Sequence, residues 1–152
     1  MEQTSIQQIM KRILASMLAV SAFAVISTFT ASGDDLESLS GKWLLKKKSP
    51  EGQAITQSIE IKKDKFTFEI KNSDSKTVLY AEGSIKLEKL GAFKSVKFFN
   101  IKAGESASQT ESVDEERQSI YQLGDGTLTV ASNFDAVRDD KPNVDVYTKA
   151  GN

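Results

Sequence analysis

Leu39-Ser40-Gly41-Lys42-Trp43 is the point at which a polar lead-in turns into the first strand of this chain. Gly41 has no Cβ, so it permits a close approach or an unusual backbone angle just before the pleated run begins. Trp43 is the only tryptophan and carries the largest apolar surface of any side chain here. A glycine two residues before the single tryptophan, at the head of a β pattern, predicts the plug at the closed end of a small barrel.

Downstream, strands follow at short intervals. Trp43 and Leu45 share one face of the first, which the turn Ser49-Pro50-Glu51-Gly52 ends, with proline and glycine at the positions a type I turn favours. Gln57 to Lys62 alternates, with Ile59 and Ile61 inward. After the Lys63-Asp64 turn, Lys65 to Lys71 is the cleanest period-2 segment, with Phe66, Phe68 and Ile70 on one face and Lys65, Thr67, Glu69 and Lys71 on the other. Asn72-Ser73-Asp74-Ser75 is a turn cluster, and Thr77 to Leu87 is extended with Gly83 as a bulge or bend. Lys94 to Ile101 supplies a fifth strand, with Val96 and Phe98 on one side but Phe99 and Ile101 on the other.

Gly104 to Glu116, GESASQTESVDEE, is polar throughout and reads as a mobile surface loop. Arg117 to Leu123 and Thr127 to Ser132 flank Gly124-Asp125-Gly126, a hairpin signal. A loop from Asn133 to Asn143 leads to a short last strand, Val144 to Thr148. About eight strands and no helix in residues 34–152 predict an all-β fold, a small antiparallel barrel or strongly curved sheet.

Composition bounds the chemistry. The chain has 152 residues, 39% hydrophobic and 27% charged, which suits one soluble domain with a single core. It has no cysteine and no histidine, which removes disulfides, thiol nucleophiles, the commonest general base and the usual zinc ligand together. A formal charge of −1 gives no global basic field to hold nucleic acid. The chain is therefore not expected to be an enzyme, and no cofactor or metal is expected.

Lys11 and Arg12 precede an apolar run from Ile13 to Ile26, and Thr28, Thr30, Ala31, Ser32 and Gly33 follow, as in a secretory signal peptide cleaved after Ser32 or Gly33. Residues 1–33 are thus read as a signal peptide and 34–152 as the mature domain. The expected location is periplasmic or extracellular, with no membrane span after processing. An uncleaved membrane anchor is the rival reading.

Leu39-Ser40-Gly41-Lys42-Trp43 resembles the L-x-G-x-W opening of lipocalin-like proteins. The hairpin Ile120-Tyr121-Gln122-Leu123-Gly124-Asp125-Gly126-Thr127-Leu128, followed by Lys141-Pro142, is similar to the signature of a bacterial exported lipocalin-like domain family. The resemblance spans Leu39 to about Tyr147 and implies a lipocalin-like β-barrel, in a family whose members mostly lack an assigned activity. Two features depart from the pattern. The family's final strand follows the position of Val144 to Thr148, where this sequence stops, so an open edge between the first and last strands is expected. Lipocalins also pack an arginine on the opening tryptophan, and neither Arg117 nor Arg138 matches that place.

Inward aromatics supply the candidate site. Phe66, Phe68, Tyr80, Phe98 and Tyr121 are expected to line a cavity for one small apolar or amphipathic ligand, with Gly41 and Trp43 structural; a filled core working through its loops or its open edge is the alternative. Lys46, Lys47, Lys48, Lys62, Lys63 and Lys65 cluster near one turn end, where an anionic polymer competes with the reading of a solvated, edge-protecting face. Asp135, Asp139, Asp140 and Asp145 crowd the last loop without a D-x-D-x-D-G calcium motif, and are read as loop solubility.

Overall fold

The structure, a computed structural model, describes residues 33–134 and 141–151. The expected signal peptide, apart from Gly33, lies outside the described residues, as do Asp135, Arg138, Asp139 and Asp140. One short helix, α1 (Gly33–Leu39), leads into nine strands: β1 (Gly41–Lys48), β2 (Ala54–Lys62), β3 (Lys65–Lys71), β4 (Thr77–Leu90), β5 (Phe93–Ser106), β6 (Gln109–Val113), β7 (Arg117–Gly124), β8 (Thr127–Ser132) and β9 (Asn143–Lys149). All pairings are antiparallel.

The barrel closes, which corrects the expected open edge between the first and last strands. Neighbours run β1-β2-β3-β4-β5-β7-β8-β9 and back to β1, where Trp43 pairs with Lys149 and Leu44 with Thr148. The Ala150 N–H adds a bond to the Lys42 carbonyl at 2.8 Å. Eight strands therefore form the barrel, and β6 is an extra strand paired, among the described strands, only with β5. The free edge has moved from β1 and β9 to β6.

Gly104 to Glu116 is not the expected loop. It holds the end of β5, the turn and β6, because backbone pairing to a long neighbour orders a polar strand that has no apolar face of its own. β6 and then β7 take the same side of β5, with residues 114–116 between them.

β5 has apolar residues on both sequence faces because it carries a bulge. Ser84 pairs with Phe99 but Glu82 pairs with Lys102, so three steps on β5 oppose two on β4. Asn100 sits at the extra position with φ +52°. The shift reverses the strand's parity, turning Val96 and Phe98 inward on one side of it and Ile101 and Ala103 inward on the other. Opposite the bulge, a Cβ on Gly83 would stand 2.8 Å from the Phe99 carbonyl oxygen and 2.9 Å from the Phe66 ring, so only glycine lets β4 pass.

The closed end is plugged as expected, but by a helix as well as the tryptophan. Asp35 in its first turn suits the helix dipole, and Leu36 and Leu39, three apart, lie on one side and pack on the core. Leu39 and Trp43 are each only 2% exposed, and the Trp43 indole N–H donates to the Leu39 carbonyl at 2.8 Å. That bond satisfies a buried donor and one of the helix's terminal acceptors together. Lys149 lies over the Trp43 ring at 5.3 Å, so a cation does cover the tryptophan, supplied by the last strand. Asp35 ties the helix to the start of β5 through Lys94 at 2.8 Å.

Candidate functional site: the open mouth of the barrel

The interior is layered by strand register. Gly41, Ile61, Phe66 and Gly83 form one inward row across β1 to β4, Trp43, Ile59, Phe68 and Ala81 the next, and Leu45, Gln57, Ile70 and Leu79 a third. Among the apolar side chains of these rows exposure rises away from the plug, while Gln57 in the third row stays buried. Ile61 and Phe66 are buried in the first; Phe68 is half-buried in the second; in the third Leu45 and Ile70 are half-buried and Leu79 is 38% exposed. The barrel is thus sealed at the α1 end and open at the other, with apolar side chains facing the opening.

Of the five expected wall residues, the structure brings three together. Phe66 and Phe98 meet edge to face, ring centroids 4.9 Å apart at 79°, and fill the middle of the barrel with each other. Phe68 packs on the same core and remains half-buried. On the open side of the Phe66–Phe98 pair, the inward apolar residues across β1 to β4 are Leu45, Phe68, Ile70 and Leu79. Tyr121 is a buried core residue of the β7 wall, not a mouth residue; burial, with the charge of Asp35 adding, pushes its phenol up to about 12.

Tyr80 is misplaced by the sequence reading. It alternates with Ala81, Ile85 and Leu87, which face inward, so it lies on the outer face, paired opposite Glu69 and donating to Glu82 at 2.9 Å. Its phenol is raised chiefly by burial and by its bond to Glu82. Aromatic character suggested an inward position, but parity along β4 decides the face.

Two interior polar residues, Tyr147 and Gln57, were missed, and Asp145, expected as a solubilising loop residue, lies on β9 beside them. The Tyr147 hydroxyl donates to the Gln57 side-chain oxygen at 3.1 Å, both residues being buried. Burial first, then the charge of Asp145, drives the Tyr147 phenol well above its usual range. Asp145 accepts from Lys47 at 3.1 Å through both carboxylate oxygens, joining β1 to β9 near the mouth. On β9 the hydrophobic-in rule is inverted: Asp145 and Tyr147 face inward, while Val144 and Val146 are 65% and 50% exposed. The available signal was the pair of polar partners on β1 and β2, Lys47 and Gln57, in phase with Trp43 and Ile59.

The lysine cluster divides. Lys46, Lys47 and Lys48 pair with Thr56, Ile55 and Ala54 at the open end, whereas Lys62 pairs with Lys65 at the plugged end. They form no single surface. Among the described residues no group of three or more carboxylates could hold a metal ion, and Asp145, the one described member of the acidic set, is held by Lys47. No described helix is long and apolar enough to cross a membrane.

Two surface grooves flank the barrel. One, of about 440 Å³, lies at the plugged end beside Phe93, Ile120 and Ala131; the other, of about 520 Å³, lies on the open rim beside Lys46, Lys48 and Asn72. Neither is lined by Phe66, Phe68 or Phe98. Compared with protein-family models, curated proteins and solved structures, the chain matches none.

Proposed function

We propose that the chain is an exported, lipocalin-like binding module that holds a small apolar or amphipathic molecule in the mouth of its barrel. The observation that carries this is the gradient of exposure along the inward rows: a dry floor at Trp43, Ile61 and Phe66, then half-buried apolar walls at Leu45, Phe68 and Ile70, then Leu79 at 38% exposure. Inward apolar side chains left open to water at one end only are what an apolar ligand would cover. The Tyr147–Gln57 pair supplies a polar handle in that wall. Export rests on the basic, apolar and small-residue order of residues 11–33.

Native mass spectrometry of the protein purified from its own cells tests the reading. A mass excess that disappears on unfolding is expected, with uptake of an apolar fluorescent probe weakened by Phe68→Ala. A bare mass together with probe uptake unchanged by that variant would overturn it.

A second reading is favoured by one observation: β6 is paired, among the described strands, on one side only. A filled barrel could work as an interaction module by adding a partner's strand there. Deleting residues 105–113, which hold β6 and the turn before it, should then abolish partner capture while leaving the mass spectrum bare.

A further inference from the structure

The rim groove outside the barrel has a different chemistry from its mouth. It lies between the end of β1, the start of β2 and the turn that joins β3 to β4, and its volume is about 520 Å³. Lys46 and Lys48, two residues apart on one face of β1, stand on one side. Asn72, Ser73 and Ser75 stand on the other, with Thr56 in the floor. Lys46, Thr56 and Lys71 form one outward row across three strands.

Among the described residues, no carboxylate lines this groove. Of the described acids around it, Asp145 is engaged by Lys47 at 3.1 Å and Glu69 by Lys71 at 3.4 Å, while Asp74 stands in the same turn between Ser73 and Ser75, and Glu51 in the turn that joins β1 to β2. The turn is held in place from within: the Asn72 side-chain oxygen accepts the N–H groups of Asp74 at 3.1 Å and Lys76 at 2.9 Å, and the Ser75 N–H donates to the Asn72 carbonyl at 3.0 Å. Its serine hydroxyls are therefore presented on a fixed frame. Two lysines on one wall and a set of hydroxyls on the other make a donor set for an oxygen-rich anion.

We propose that this groove binds a phosphate-type tetrahedral oxyanion, clamped by Lys46 and Lys48 and oriented by Thr56, Ser73 and Ser75. The anion is either a free phosphate ester or the phosphate of a lipid headgroup. The groove does not depend on a ligand in the mouth, although Lys47 and Ile55 border both.

The test uses the full chain and two probes, inorganic phosphate followed by amide chemical shifts, and phosphatidylcholine vesicles with or without phosphatidylglycerol followed by co-sedimentation. Lys46→Gln/Lys48→Gln is compared with Lys62→Gln/Lys63→Gln, which removes the same charge at the opposite end. Saturable shifts at Ser73 and Ser75, weakened about tenfold or more by the first double variant and unchanged by the second, are expected. Phosphate binding without vesicle binding supports the site with a soluble ester as its source. Binding only to the anionic vesicles, with the same dependence on Lys46 and Lys48, supports it with a lipid source. No saturable binding of either probe, or equal weakening by both double variants, overturns it. Because phosphate carries no apolar part, these results stand whether or not the mouth holds a ligand.

Discussion

Replacing Trp43 by alanine should come close to unfolding the protein. The indole is 2% exposed, so nearly all of its roughly 200 Å² leaves water on folding. At about 25 cal/mol/Å² that area is worth about 5 kcal/mol, in line with the roughly 3–5 kcal/mol measured for buried aromatic truncations. The variant also leaves the Leu39 carbonyl without the indole donor, adding about 1 kcal/mol. A total of about 4–6 kcal/mol is comparable to the whole stability of many domains, about 5–15 kcal/mol. Trp43→Phe separates the two contributions, since it keeps much of the ring but not the N–H, and should cost about 1–3 kcal/mol. Urea unfolding followed by far-ultraviolet circular dichroism measures both, because the substitution removes the only tryptophan that fluorescence could report. With a slope of about 1–3 kcal/mol per molar urea, the alanine midpoint should fall by at least about 1.3 M. A loss below about 1 kcal/mol for Trp43→Ala would refute the plug.

Other expectations follow from single contacts. Gly83→Ala places a Cβ against two β5 carbonyls and the Phe66 ring, 2.8 to 3.0 Å away, and should cost about 2–3 kcal/mol in a urea titration; Gly52→Ala, at φ +83° with nothing within 4 Å, should cost only the left-handed strain of about 1–2 kcal/mol. Asp145→Asn removes a partly exposed ion pair across the β1–β9 seam and should cost about 0.5–1 kcal/mol, a difference that shrinks at about 1 M salt. Alkali should destabilise the barrel through its buried phenols. The unfolded tyrosine titrates near about 10 while folded Tyr121 is pushed up to about 12, so the folded state binds the extra proton and stability, full below pH 10, falls as pH rises toward 12. Tyr121→Phe should flatten that fall; an unchanged slope in stability measured at successive pH values would count against the burial of this phenol.

The parts of this fold legible in sequence were those in which one physical rule acted alone. Lys65 to Lys71 alternates cleanly in sequence, and the register keeps that phase, with Phe66, Phe68 and Ile70 in the inward rows. Gly124-Asp125-Gly126 reads as a hairpin because a two-residue connection needs a residue that tolerates positive φ, and Gly126 takes +68°. Where two rules met, local pattern misled. Gly104 to Glu116 has no hydrophobic face to announce a strand, and its order comes from pairing with β5, a neighbour the local pattern does not reveal. α1 is too short to show a helical period, and it is held by Leu36, Leu39 and the Trp43 indole.

The same competition decides where a binding site could hide in this chain. β9 turns Asp145 and Tyr147 toward the interior and two valines outward, which burial of apolar surface alone would not select. The inversion is tolerated because each inward polar group meets a partner on a different strand, Lys47 from β1 and Gln57 from β2. Those partners lie in the third and fourth rows from the plug, where Leu45, Ile70 and Leu79 already lose their cover. A barrel specified only for stability would continue its apolar packing to the rim. This one replaces it at that depth with satisfied polar pairs beside open apolar walls, and lysines stand just outside on the rim. On the proposed binding reading, polar and apolar contacts at one opening would serve a molecule with two chemical faces. Gln57→Leu with Tyr147→Phe distinguishes the two directly. If the pair exists for packing, the double variant should be at least as stable as the parent and take up apolar probes equally well. If it serves a ligand, stability should hold while uptake of an amphipathic probe falls several-fold and that of a purely apolar one does not.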